Sequence, residues 1–184
     1  MNLKLRLFLQ HTYLIASSLI NNIFLTMIKN KTLSQLKKSW KFRAYLLLKL
    51  PLAWIMGLRI KEIDESKCIT ILPFKRFNYN PFKSMYFATQ IAAAELSTGL
   101  LMLVAIDQRK EVSMLVKKVE ASFSKKAVTD IEFVCEQGFL ISDAVKNAIE
   151  SGDSVSIVAY SKGLDKSGDE VCAAFITWSI KRSK

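Results

Sequence analysis

From about residue 84 to about residue 106 the chain reads SMYFATQIAAAELSTGLLMLVAI, apolar on every side of a helical projection and broken only by Gln90 and Glu95 as strongly polar side chains. At 1.5 Å per residue such a helix is roughly 34 Å long. A helix of that length with no polar face is either a membrane span or the centre of a small domain, where other elements wrap it. The rest of the chain favours the second. Segments 58–63 and 68–74 alternate as strands about the turn Asp64-Glu65-Ser66, and 112–124, 128–137, 154–162 and 170–182 read as four more. A short amphipathic helix over 142–151 is closed by Gly152.

The third of these strands changes phase along its length. Val112, Met114 and Val116 alternate in one register and Val119, Ala121 and Phe123 in the other, which predicts a bulge at Lys117-Lys118. A bulged strand bends. The expected architecture is therefore α+β: a curved antiparallel sheet wrapped around one long central helix.

Composition narrows the chemistry. At 184 residues, 51% hydrophobic, with only 6 Gly and 3 Pro, the chain has material for one core. Cys68, Cys135 and Cys172 have no metal-binding spacing and each lies in a strand-like run, so they are expected as reduced core residues in a cytoplasmic protein. The single histidine, His11, stands in the N-terminal segment. Outside that segment there is no imidazole for a Ser-His-Asp triad, a Cys-His pair or a histidine-rich zinc site, and no metal or cofactor is expected. The formal charge of +11 favours anionic partners, but no nucleic-acid-binding pattern accompanies it, and nucleic acid is not the expected partner.

Residues 1–26 stand apart. Lys4 and Arg6 precede an apolar stretch, as in a secretion signal or anchor, yet Gln10, His11, Asn21 and Asn22 interrupt it. The alternative is that Met27 is the natural start, with the leader dispensable for folding. Residues 27–56 form an expected N-terminal helical segment. Thr32 and Gln35 have capping-box spacing, and Leu33, Leu36, Trp40 and Leu47 recur at helical intervals among Lys37, Lys38, Lys41 and Arg43. Such a basic amphipathic helix either packs on the domain or meets an anionic membrane surface or acyl carrier. Pro51 is expected to end it, leaving 57–184 as the main domain.

With these elements in order, the string NPFKSMYFATQIAAAELSTG resembles the central-helix motif of a bacterial branch of the hotdog-fold thioesterase superfamily known as domain of unknown function 4442, over about residues 45–182. The wider superfamily is similar to phenylacetate-pathway-type acyl-CoA thioesterases. The resemblance implies a homodimer acting on, or binding, acyl-CoA or acyl-carrier thioesters without a cofactor.

It also implies a site. Amides at the start of the central helix, expected here at Ser84 and Met85, polarise the thioester carbonyl, and a residue further along serves as base or nucleophile. By position along the motif that residue is Gln90, whose amide can orient water but cannot take a proton at neutral pH. Glu95, five residues on and about 140° around the helix, is the remaining candidate base, its pKa expected to rise on burial. Asn80, and alternatively Asn78, precedes the helix where the relatives place a water- or thioester-holding asparagine; ordinary turn chemistry before Pro81 is the other explanation. Lys83 stands where glycine is usual, placed to crowd the carbonyl or to contact a phosphate. Lys75, Arg76, Lys117, Lys118, Lys125 and Lys126 are candidate contacts to coenzyme A phosphates, or a solvated charged face.

Overall fold

The computed structural model describes residue 36 and residues 39–106 and 112–182. The leader, Met27, the Thr32–Gln35 cap, Leu33, Lys37 and Lys38 lie outside them. Helix α1 spans Ser39–Lys49 and α2 spans Pro51–Met56. Six strands follow in chain order, β1 Arg59–Ile63, β2 Cys68–Leu72, β3 Val112–Phe123, β4 Ile131–Cys135, β5 Val155–Leu164 and β6 Glu170–Arg182. The central helix α3, Phe87–Ile106, lies between β2 and β3, and α4, Gly138–Ser151, between β4 and β5.

The strands form one antiparallel sheet in the order β1-β2-β4-β5-β6-β3. The β3–β6 register slips between Val116 and Lys118, where the phase change in the sequence placed a bulge. Before the slip the inward residues Val112, Met114 and Val116 are half-buried; beyond it the strand is exposed on both faces. A long edge strand is thereby left unpaired along its outer side.

The sheet packs on α3 through β2, β4, β5 and β6. One stripe of the helix is fastened to it by short polar contacts: Thr70 Oγ1 donates to the Ala93 carbonyl at 3.0 Å, and the Ser97 and Ser161 hydroxyls meet at 2.8 Å. A neighbouring stripe holds Trp178, whose indole N–H donates to Thr98 Oγ1 at 3.0 Å. Each buried hydroxyl thus has a partner, without which it would cost about 1–3 kcal/mol. Leu100, Leu101 and Met102 are fully enclosed and Leu103 to Ile106 partly so, so a segment apolar enough to cross a membrane serves here as the domain's core.

The N-terminal helices share that core, with one departure from the sequence reading. Phe42 and Leu46, spaced i, i+4, are the buried face of α1, whereas Trp40 and Leu47 point outward. Apolar residues occupy nearly the whole circumference of this helix, so periodicity alone does not fix which stripe packs. Burial of Phe42 and Leu46 contributes about 1.5–3 kcal/mol each. Pro51 marks the end of α1 as expected, and a second short helix starts on it. It occupies the first turn of α2, where its missing N–H is harmless, after Leu50 turns out of α1 at φ −136°. Gly57, at φ 72°, closes α2 in the left-handed conformation, its amide donating to the Trp54 carbonyl at 2.9 Å.

Helix α4 begins at Gly138, four residues before the expected start. Its first amide donates to the Ser66 carbonyl in the β1–β2 turn at 2.8 Å, so the helix end seats directly on that turn. All three cysteines are buried and unbridged, with Cys68 directly opposite Cys135 across the β2–β4 pair. Burial raises each thiol, Cys135 to about 11 and Cys172 to about 12, and Cys68 higher still.

Candidate functional site

The loop leading into α3 is built on its own polar side chains. After a 3-10 turn at Arg76–Asn78, Asn80 accepts at Oδ1 from the Phe82 amide at 2.9 Å and from the Ser84 amide and hydroxyl at 3.3 Å. Its carbonyl takes the Lys83 amide at 3.0 Å, closing a β-turn. The side-chain oxygen of Asn80 is therefore spent on the turn, and only its Nδ2 remains to meet a water or a thioester. Lys83 sits at φ 57°, exposed, in the left-handed region that glycine adopts without strain. The lysine side chain projects to solvent.

Asn78 is wholly buried. Its Nδ2 donates to the Met56 and Pro73 carbonyls, both at 2.8 Å, and its own carbonyl accepts the Tyr86 amide at 2.7 Å and the Thr89 hydroxyl at 3.3 Å. One residue thus ties α2, the end of β2 and the start of α3 together. Its Oδ1 has no donor among the described residues.

The central helix begins at Phe87 rather than at Ser84, and this relocates the expected amide pair. The Ser84 amide is bonded to Asn80 and the Met85 amide to the Ala127 carbonyl at 2.7 Å, so neither is available to a ligand. The amides of Phe87 and Ala88 have no acceptor among the described residues, and both residues are exposed. The two orphan donors at the positive end of a 20-residue helix are the place where the fold favours a developing negative oxygen.

Helical geometry then separates the two polar residues of α3. Gln90 is about 200° around the helix from Ala88, on the stripe that faces the sheet. It is buried, its Nε2 donating to the Met85 carbonyl at 3.3 Å, with Oε1 lacking a donor among the described residues. Glu95 is seven residues from Ala88, about 20° from the same line and two turns, roughly 10 Å, further down. Helical side chains lean toward the N-terminus, which shortens that distance at the carboxylate. The face between them carries only Ala88, half-buried Ile91 and Ala92, and Glu95 itself. Beyond it stands Gly99, where an added Cβ would lie 3.3 Å from Glu95 Oε1 and 3.5 Å from the Trp178 ring.

The Glu95 carboxyl accepts no hydrogen bond among the described residues, and burial raises its pKa above the ordinary carboxylate range. Tyr45 on α1 feels that charge: burial and the neighbouring Glu95 both raise its phenol. Tyr45 is a site neighbour that sequence reasoning missed. It lies 50 positions from Glu95 and in an aromatic-rich helix with no distinguishing motif. Around the mouth of the site, Tyr86 and Phe87 pack edge to face at 5.0 Å between ring centres, and Phe123 at the far end of β3 meets Phe87 at 6.3 Å. Of the cations expected to meet phosphates, Lys118 pairs with Glu120 at 2.9 Å and Lys125 with Asp165 and Asp169 at 2.8 and 2.5 Å.

A six-stranded antiparallel sheet curved around one long central helix is the hotdog arrangement. Solved structures similar to the chain share it. A protein of unknown function from Pseudomonas aeruginosa, described as a probable thioesterase, superimposes with a TM-score of 0.68 at 20% identity, covering 77% of this chain and 95% of its own. A candidate thioesterase from Shewanella oneidensis gives 0.67 at 8% identity over 83% and 100%, and a thioesterase from Haemophilus influenzae gives 0.56 at 12% over 76% and 88%. At these identities the likeness establishes the fold. Residues 38–180 match the family described as Domain of unknown function (DUF4442), and the chain belongs to that family. No curated protein matches it in sequence.

Proposed function

We propose that the protein is an acyl-thioester hydrolase of the hotdog superfamily, with Glu95 as general base and the Phe87 and Ala88 amides as the oxyanion donors. The observation that supports it most is the shared helix face: the unpaired amide of Ala88 and the desolvated, unbonded carboxyl of Glu95 stand in line. A thioester carbonyl at the helix start would be polarised by the dipole, and a carboxylate with raised pKa lower on the same face would draw a proton from attacking water. The acyl chain would run along the Ile91–Ala92 face. Gln90 and Asn78, each with one buried acceptor atom unmatched, would hold water or a substrate amide N–H rather than move protons.

The acyl-thioester class is supported by the probable-thioesterase description of the Pseudomonas relative together with this site. Its test is turnover of acyl-CoA thioesters from short to long chain. Hydrolysis of any of them in excess of the uncatalysed rate supports the reading. Tight binding without release of free thiol replaces it with the second one, a module that binds an acyl group or acyl thioester.

The same reading includes a homodimer in the cytoplasm. The outer side of β3 is an unpaired edge with Leu115, Val119 and Phe123 exposed along it, a surface that a second copy would cover by antiparallel pairing. Such pairing would bring the partner close to Phe87, because Phe123 already touches it. Light scattering at micromolar concentration is expected to give twice the chain mass, and a Leu115→Lys/Val119→Lys variant is expected to halve it. A monomeric parent chain removes the dimer. The cytoplasmic assignment rests on three buried, unbridged thiols, which suit a reducing compartment.

A further inference from the structure

The charge of this chain is divided in a way its fold alone does not require. No acidic residue occurs before Glu62, while the first 61 residues carry eleven of the 27 Lys and Arg. The remaining 123 residues hold sixteen basic and sixteen acidic side chains, so the whole excess of +11 belongs to the N-terminal third. Within that third, α1 and α2 turn large apolar side chains outward. Trp40 and Leu52 are 66% and 67% exposed, and Leu48, Leu50, Trp54 and Ile55 are also exposed, all within 16 residues. A face this apolar is uncommon on a monomer surface and marks a site of contact.

A cleft of about 610 Å³ opens beside it, lined by Arg43, Trp54, Gly57, Arg59, Lys75 and Phe77 among others. No acid lines the cleft, and Arg43, Arg59 and Lys75 have no anionic partner among the described residues. The Lys75 ammonium lies over Gly57, where a Cβ would stand 2.6 Å from its Nζ. Trp54 and Ile55 belong to both features, so the three cations sit at the border of the apolar face.

We propose that α1 and α2 form a docking face for an anionic phospholipid bilayer, with one headgroup phosphate held in the cleft by Arg43, Arg59 and Lys75. The chemistry fits each layer of such a surface. Trp40 and Trp54 suit the headgroup boundary, the leucines and Ile55 suit the acyl region just below it, and the cations meet phosphate. A soluble acidic partner would satisfy the charge but leave the apolar face uncovered. The inference stands apart from the hydrolase reading, since none of its residues lies on the Ala88–Glu95 face.

Tryptophan fluorescence of the full chain tests it directly, because Trp178 is only 3% exposed and leaves Trp40 and Trp54 as the responsive reporters. With vesicles of phosphatidylglycerol in phosphatidylcholine, emission should shift to the blue and be quenched by brominated acyl chains, whereas pure phosphatidylcholine vesicles should give neither. Arg43→Gln/Arg59→Gln/Lys75→Gln should weaken binding about a hundredfold, each cation near an anionic surface being worth somewhat under tenfold. In Leu52→Ser/Trp54→Ser, both at exposed positions, Trp40 remains as the reporter and its blue shift should be lost. Equal response to neutral vesicles, or an unchanged triple variant, would overturn the proposal. So would three other results: sedimentation with vesicles without any spectral shift, which assigns the contact to residues 1–38; protection of both tryptophans from iodide before vesicles are added, which shows the face covered by the chain itself or a second copy; and displacement from vesicles by micromolar coenzyme A, which makes the cleft a site for a soluble phosphate.

Discussion

Glu95→Gln is expected to lower acyl-thioester turnover by about two to four orders of magnitude, the usual worth of a positioned general base, with substrate affinity little changed. Glutamine keeps the shape and can still orient water, so the loss isolates proton transfer. In the parent, burial holds the Glu95 carboxyl protonated to higher pH than an exposed glutamate. Activity should therefore fall as the pH drops through that raised value, at a pH above the ordinary carboxylate range. Stability should move the opposite way. The native state binds this proton more tightly than the unfolded chain, so Glu95 weakens the fold progressively as pH rises from the ordinary range through the folded value, and the penalty persists above it. The glutamine variant should melt higher than the parent at neutral pH and lose that advantage in acid. Unchanged activity removes Glu95 from the mechanism; an activity loss together with a lower neutral melting temperature marks it as a structural residue.

Gly138→Ala should destabilise the protein by about 3 kcal/mol, a drop of roughly 6–12 °C in melting temperature for a chain of this size. By helix propensity alone the change would be favourable, by less than the roughly 1 kcal/mol of a helix interior because Gly138 is the first helical residue, so the sign of the effect is the test. The reason for the reversal is contact. A Cβ at Gly138 would stand 2.1 Å from the backbone oxygen of Glu65, and that oxygen belongs to a turn whose own Asp64 side chain binds the Ser66 and Lys67 amides at 2.7 and 2.8 Å. Neither side has room to move without parting α4 from the sheet. Gly152→Ala provides the comparison. Nothing lies within 4 Å of its missing Cβ, and only its φ of 73° opposes the substitution, so about 1 kcal/mol is expected there. Circular dichroism melts of the two variants decide between contact and conformation.

The strands, the central helix and the β3 bulge were legible because each is written in local alternation. Val116 and Val119 show a lost phase within a few residues, and nothing distant is needed to see it. The start of α3 was not legible for the converse reason. Ser84, Met85 and Tyr86 continue the apolar run without a break, and only the αL turn at Lys83 and the bond from Met85 to Ala127, 42 positions away, pull them out of the helix. The site followed the same division. Motif position pointed to Gln90, while counting turns from the true first amide places Glu95 on the open face and Gln90 against the sheet. The outward direction of Trp40 and Leu47 was hidden too, because in a helix apolar nearly all round the neighbouring sheet chooses the buried stripe.

The cross-strand neighbours Cys68 and Cys135, with Cys172 on β6, give the sheet a chemical clock. Each is fully enclosed and held as the neutral thiol well beyond physiological pH, so a thiol-specific reagent can act only during moments when the strands separate. Labelling at Cys68 and Cys135 times the parting of β2 from β4, and labelling at Cys172 times the β5–β6 seam. The relative rates would rank which part of the wrap around the helix loosens first, without introducing any probe into the chain.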